Sequence, residues 1–323
     1  MLYGEGKYTY EVVEGWAKHP EGWEFQDILD LGIDSKDRVY VLSRGAHPLQ
    51  IYDPDGNLLD TWDEVRGHGC TVGPDDCFYL ARGPFNPADP HTVSKYSHEG
   101  KLLMTLGSGQ PSDTGFRKIG TMDVSCRTIV RAGTPFCFPT GMAASASGNI
   151  YVSDGYGNCR IHKFSPDGKL LLSWGEPGYW PGQFRIPHGI WVDRQEQVYV
   201  ADRENNRVQV FDAQGKFLSE WPGLLRPAKI FIDDEDVVYV AEYHARMSIF
   251  NTDGELLARW GSGWRGFEND EEQKARLFGL NHGVVVDSKG DLYVGDISWL
   301  NLKIDGKPVD RGPKILQKFI RRS

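Results

Sequence analysis

The chain has 323 residues, 45 acidic against 36 basic side chains and a formal net charge of −9. An acidic chain without a run of five or more basic residues excludes a nucleic-acid partner, and no stretch has the apolar length of a membrane span, so no membrane partner is expected either. With 40% hydrophobic residues, among them 10 Trp, 14 Tyr and 15 Phe, the chain can fill a packed core.

The first segment, Met-Leu-Tyr-Gly-Glu-Gly-Lys, lacks the basic start and apolar stretch of a signal peptide, so a cytoplasmic protein is expected if the sequence is full length. It runs into Tyr8–Trp16, whose alternating pattern reads as an outer strand. From there a hydrophobic block built on Tyr recurs six times, at Tyr40, Tyr79, Tyr151, Tyr199, Tyr239 and Tyr293. A turn glycine follows each: Gly56, Gly100, Gly168, Gly215, Gly254 and Gly306.

The fourth copy shows the internal pattern most openly. Gly189–Asp193, Gln197–Asp202, Arg207–Phe211 and Lys216–Trp221 are short runs rich in Val, Ile, Tyr and Phe, divided by Gly, Asp and Asn. Four strands per repeat of roughly 40 residues is the period of a propeller blade. The expected fold is all-β: one six-bladed β-propeller domain over 1–323. The last repeat supplies only Val284–Val286, Asp291–Val294 and Ile315–Ile320, so the N-terminal Tyr8–Trp16 is predicted to be its fourth strand. Such a clasp removes the exposed edges of an open array. Tyr79 to Tyr151 is one long interval, and the surplus, 107–138, carries Arg117, Lys118, Arg127 and Arg131. An insertion of that length reads as a lid or rim loop.

Eleven residues before each repeat Tyr stand Leu29, His68, Thr140, His188, Ala228 and His282. The histidines alternate. In a closed ring they come from three sides to one level, which is how three neutral nitrogens hold Zn²⁺ or a similar divalent metal with a position left open. Four residues beyond the repeat Tyr stand Arg44 and Arg203, and Tyr156 sits one place further on in the third repeat. Arginine forks recognise carboxylates, so a small anionic substrate is the expected partner; the sequence sets no oligomeric state. Asp154, Asp202, Glu242 and Asp296 recur at one position and read as structural turn residues, while His47, His162 and His244 read as surface residues. Five cysteines, Cys70, Cys77, Cys126, Cys137 and Cys159, without CxxC spacing suit reduced, mostly buried thiols. A Cys137–Cys159 pair stays open.

The segment Val198–Phe211, with Val-Tyr-Val-Ala-Asp followed by Asn-Arg-Val-Gln-Val-Phe, resembles the NHL repeat. A narrower resemblance lies in Phe136–Thr140, Val152–Ile161, Gly182–His188 and Val200–Gln209. These resemble the peptidyl-α-hydroxyglycine α-amidating lyases, six-bladed propellers with a catalytic zinc on three histidines. The resemblance implies zinc ligands at His68, His188 and His282, a catalytic tyrosine at Tyr156 and active-site arginines at Arg203 and Arg44. It implies cleavage of a carbinolamide, R–CO–NH–CH(OH)–COO⁻, to an amide and glyoxylate. The family's Asp after the third histidine, associated with a structural calcium, is Gly283 here, so calcium is not expected. Its cysteine partner for Cys137 would fall at Gly157. Two other classes stand beside the lyase: a metal-dependent hydrolase, lactonase or hydratase on a carboxylated small molecule, and a non-enzymatic NHL scaffold binding a protein partner.

Overall fold

The structure is a computed structural model that describes residues 1–83, 90–261, 263, 277–297, 303–304, 307–308 and 312–322. Six antiparallel sheets, each following one repeat, make it the six-bladed β-propeller expected from the repeat. The first five blades have four strands in chain order. Blade four, for example, runs Pro187–Val192, Val198–Asp202, Arg207–Phe211 and Phe217–Trp221. Backbone contacts group the chain into two compact units, Gly67–Ile230 and Met1–Arg66 with Phe231–Ser323.

In the second of these units, the last blade has the order Leu2–Glu5, Tyr8–Val13, Leu316–Arg321, Leu292–Asp296, Asn281–Val286. The predicted clasp is there, with Tyr10 opposite Arg321 and Val13 opposite Lys318. The sheet goes one strand further than expected, because Leu2–Glu5 folds back on Tyr8–Glu11 as a hairpin. Tyr10 is fully buried and stacks on Trp260, centroids 5.4 Å apart.

The hairpins explain the repeat sequence. All six repeat tyrosines are buried. In the fourth, fifth and sixth, the phenol bonds an aspartate six residues earlier: Asp193 at 3.0 Å, Asp233 at 2.8 Å and Asp287 at 3.1 Å. The same aspartates accept backbone N–H groups two and four residues on, so one side chain closes the turn and satisfies a buried hydroxyl. Three residues before each Tyr the backbone is left-handed: Asp37, Asp76, Gly148, Glu196, Asp236 and Gly290. The second-hairpin glycines Gly56, Gly100, Gly168, Gly215 and Gly254 also have positive φ, as turn glycines should, and Gly306 lies outside the described residues.

The acids expected to be structural are so. Asp154, Asp202 and Asp296 each accept the backbone N–H of the residue 17 places earlier: Cys137, Arg185 and Gly279. Glu242 instead pairs with Arg246 and Ser248. All five cysteines are free thiols, so Cys137 and Cys159 are not a disulfide. A Cβ at Gly157 would lie 2.5 Å from Cys137 Sγ, which fits the position the resemblance gives the missing partner. The reading of His162 as a surface residue is corrected: it is fully buried, with Nδ1 2.8 Å from Ser173 Oγ and its ring edge-on to Phe136. Its place in the strand Arg160–Phe164 points it into the blade, which a search confined to matched histidines does not see. His47 and His244 are half-buried.

Removing Tyr10 as Tyr10→Ala is expected to cost about 3–5 kcal/mol, the usual loss for a buried aromatic. Chemical denaturation would measure it, and a loss below 1 kcal/mol would show that the N-terminal strand does not hold the last blade.

Candidate metal centre

Within Gly67–Ile230 the first strands of successive blades approach so closely that side chains between them are excluded. A Cβ at Gly69 would lie 2.1 Å from Thr140 O, and one at Gly189 2.6 Å from Ala228 O. Glycine beside the histidine is therefore required by backbone contact. That approach brings a carbonyl to each imidazole. His68 Nδ1 lies 2.9 Å from Thr140 O and His188 Nδ1 2.7 Å from Ala228 O. Within the other unit, His282 Nδ1 lies 2.5 Å from Leu29 O. A carbonyl only accepts, so each Nδ1 carries the proton and each Nε2 presents a lone pair. Register shifts at Pro187/Ile190 and Asn281/Gly283 mark bulges where His188 and His282 leave the strand pleat.

Among the described residues, His68, His188 and His282, all buried, form the group that could hold a metal ion, each offering one ligand atom, all within 4.8 Å of one another. Three neutral, carbonyl-locked imidazoles suit a borderline divalent transition metal rather than a hard, oxygen-seeking one.

Tyr156, reaching in from the loop after Ile150–Asp154, puts its hydroxyl 3.0 Å from His68 Nε2 and 3.1 Å from His188 Nε2. With one proton it donates to one of them at a time. Arg203 Nη1 donates to the same oxygen at 3.3 Å, and the guanidinium lies over the Tyr156 ring, 5.3 Å from its centroid. Arg203 is itself buried and is held from behind. Its Nε donates to Glu204 Oε1 at 3.0 Å, and Arg226 donates to that same oxygen through Nε at 3.0 Å and Nη2 at 2.5 Å. The result is one chain of contacts, Arg226–Glu204–Arg203–Tyr156–histidine, inside a single unit. Arg203 is thus paired with Glu204 and directed at the site at once.

Arg44 lies in the other unit, where Nη1 donates to the buried Asp27 Oδ2 at 2.6 Å and the backbone N–H to Asp27 O at 3.0 Å. Blade one has Ser43 where blades three and four have Asp154 and Asp202, and there the incoming loop supplies the carboxylate instead.

Two contributors escaped the sequence reading. Glu204 was visible as a neighbour of Arg203, but Arg226 is 22 residues from it; it stands two places before Ala228, where Phe138 and Ile186 precede Thr140 and His188 with the same left-handed backbone. Lys229 was legible in the column after the histidines, which reads Asp30, Gly69, Gly141, Gly189, Lys229, Gly283. It is buried, with Nζ donating to Cys70 O at 2.8 Å.

The protein loaded with a divalent ion is expected to hold about one ion per chain by elemental analysis, and His188→Ala to lose most of it while still unfolding cooperatively. Retention of a full equivalent by that variant would remove the histidines from the site.

The NHL repeat family matches residues 136–164 and 184–211. Human NHL repeat-containing protein 3 is 31% identical over 231 residues, 67% of this chain and 60% of that protein. Peptidyl-alpha-hydroxyglycine alpha-amidating lyase 1 of Drosophila melanogaster is 32% identical over 178 residues, 51% of this chain and 28% of that protein. The chain thus matches less than two thirds of the length of either relative. A solved streptogramin B lyase structure superposes over 97% of this chain and 98% of its own with a TM-score of 0.59, and its 13% identity makes that a likeness of fold alone. Lyases among the relatives support an enzyme. The chain carries two matches to the NHL repeat, folds as a six-bladed β-propeller and resembles the peptidyl-α-hydroxyglycine α-amidating lyases.

Proposed function

We propose that the chain is a zinc-dependent lyase of the amidating-lyase type. It cleaves the C–N bond, or a related C–O bond, at a hydroxylated, carboxylate-bearing carbon of a small anionic substrate. The observation that carries this reading is the Tyr156 hydroxyl, within 3.1 Å of two carbonyl-locked imidazoles and 3.3 Å from a buried guanidinium. A structural tyrosine needs one partner, whereas this one meets acceptor and donor groups on both sides.

His68, His188 and His282 would hold the zinc, whose chemistry when bound is to polarise an oxygen ligand as a Lewis acid. Tyr156, as the phenolate with its own proton already lost to solvent, takes the proton of the carbinol hydroxyl. As the C–O bond becomes a carbonyl, the C–N bond breaks and its electron pair goes to nitrogen. The same tyrosine returns the proton there, so that R–CO–NH–CH(OH)–COO⁻ gives R–CO–NH₂ and glyoxylate with atoms and charge balanced. Arg203 supplies positive charge beside the reacting oxygen and donors for the substrate carboxylate, while Glu204 and Arg226 fix the direction of its Nη1. Arg44 stays a candidate for the same carboxylate, with its guanidinium already paired to Asp27.

N-benzoyl-α-hydroxyglycine is expected to give benzamide and glyoxylate by chromatography. Benzoic acid in place of benzamide would point to hydrolysis of the acyl bond and overturn the lyase reading. Tyr156→Phe removes one oxygen and should lower turnover roughly 10²-fold or more with metal content kept. Arg203→Ala should raise KM and lower kcat at full metal content. Arg44→Ala should first lower Tm, because Asp27 is left buried without its cation.

A further inference from the structure

The position after the histidine column is glycine in four repeats, at Gly69, Gly141, Gly189 and Gly283, and charged in two, at Asp30 and Lys229. Lys229 lies on the first strand of blade five, Pro227–Ile232, and is 4% exposed. Its Nζ donates at 2.8 Å to the carbonyl of Cys70, 159 residues earlier, on the first strand of blade two, Gly69–Val72. Blades two and five are three repeats apart, the widest separation in a ring of six. Within Gly67–Ile230 this one side chain therefore joins inner strands that no sheet joins.

Both ends of that bond adjoin the histidines. Ala228, the residue before Lys229, offers the carbonyl that meets His188 Nδ1 at 2.7 Å. A Cβ at Gly189 would come within 2.9 Å of Lys229 Cα, so the backbone from which the lysine springs is pressed against the residue after His188. Cys70 is fully buried, two residues past His68. The rings of His68 and His188 stand edge to face with centroids 5.0 Å apart, and the Tyr156 hydroxyl lies 3.0 and 3.1 Å from their Nε2 atoms. One hydroxyl can serve two rings only while their spacing is kept.

An ammonium out of water is costly unless oxygen acceptors replace its hydration, and a main-chain carbonyl is such an acceptor. Calcium would ask more of the same surroundings, roughly six to eight oxygens with carboxylates among them. The acid that the amidating-lyase resemblance associates with a structural calcium is Gly283 here, at the same repeat position as Lys229. Asp30, the acid of that column, lies in the other unit, where its Oδ1 accepts the Leu31 N–H at 2.8 Å. The residues do not fit calcium: that carboxylate is missing, and a positive charge of the chain's own is seated on the Cys70 carbonyl.

We propose that the Lys229 ammonium is a resident cation that does the work of a bound structural ion. It ties the strand that supports His188 to the strand that follows His68, keeps the spacing of those two rings, and excludes calcium from the place it occupies. Lys229 is thus a positioning residue, acting on the imidazoles through the main chain. The proposal is independent of the lyase reading, since it concerns the metal-free protein.

The test uses the full chain and three readouts, none of them activity. The unaltered protein is expected to unfold at the same Tm in EGTA and in millimolar calcium. Lys229→Met keeps the length of the side chain and removes its charge and donors, so it should lower Tm by several degrees in both solutions; a lysine present for packing alone would be replaced without loss. Lys229→Asp is the converting change, because its shorter carboxylate leaves room for an ion where Nζ stands. That variant should bind about one calcium per chain and regain in calcium most of the Tm it loses in EGTA. The third readout is the pair of downfield proton resonances from the Nδ1–H groups, identified by their loss in His68→Ala and His188→Ala. Lys229→Met should shift both, whereas Tyr10→Ala, which lowers stability from another blade, should leave them in place. Calcium bound by the unaltered protein, a Lys229→Met Tm at or above the unaltered value, or imidazole resonances indifferent to that change would each overturn the proposal. A Lys229→Asp protein that ignores calcium, or fails to fold in its presence, counts against it equally.

Discussion

Each histidine of the candidate centre is held by the carbonyl of the residue that occupies its own repeat position one blade further on. Thr140 serves His68, Ala228 serves His188 and Leu29 serves His282. The rest of the site depends on this, because a free imidazole has two tautomers and can rotate, whereas one tied through Nδ1 has a fixed lone pair on Nε2. The alternation of histidine with Thr, Ala or Leu is therefore a pairing of ligand with support. It needs only backbone from the supporting residue, which is why the three supporting side chains have nothing in common. The glycines that follow His68 and His188 let the strands approach closely enough for the bond to form.

The surroundings of Tyr156 follow a different logic. Its loop is bound on one side by the insertion, through Thr114 and Asn158, and its hydroxyl meets a guanidinium that Glu204 and Arg226 hold from behind. Neither arrangement has a counterpart at matching positions in the other repeats. Burying Arg203 is tolerable because Glu204 lies within 3.0 Å of its Nε. The second cation on Glu204 then leaves Arg203 as the member with donors directed inward.

Most of the fold and the three clustered histidines were legible because they are periodic. A buried Tyr with a turn residue three places before it, or a histidine every second repeat, shows in one sequence without any other for comparison. What was not legible is what breaks the period. His162 shares a face with Phe164 on a strand whose other face carries Lys163 and the buried Ile161, so polar–apolar alternation does not tell which way it faces. Leu2–Glu5 packs one ring, Tyr3 on Phe319, and four residues with two of them Gly and Glu carry too little pattern to be read as a strand. In blade one the loop carries the carboxylate, Asp27, which meets the Arg44 guanidinium, whereas Asp154 and Asp202 sit on their strands and accept backbone N–H groups from the loops before them. A reading that looks for recurrence finds the arginine and misses its partner.

Repetition supplies equivalent groups, and equivalence suits a metal, which asks for similar donors from several directions. A reaction has a direction: one group must take the proton, one must hold the carboxylate, and the leaving group must depart to one side. A strictly periodic chain cannot provide that difference. In the proposed reaction it would enter through the places where the period fails: Tyr156 stands one residue later than Arg203 and Arg44 in their repeats, a charged Lys229 replaces the glycine of the neighbouring column, and 107–138 is inserted between two repeats. These departures lie close to the histidines in the fold. Lys229 bonds the carbonyl two residues past His68, Tyr156 reaches both His68 and His188, and the insertion grips the Tyr156 loop. The clustering of non-periodic residues around a periodic donor set is the pattern expected of a scaffold whose repeats hold an ion and whose exceptions decide what is done with it.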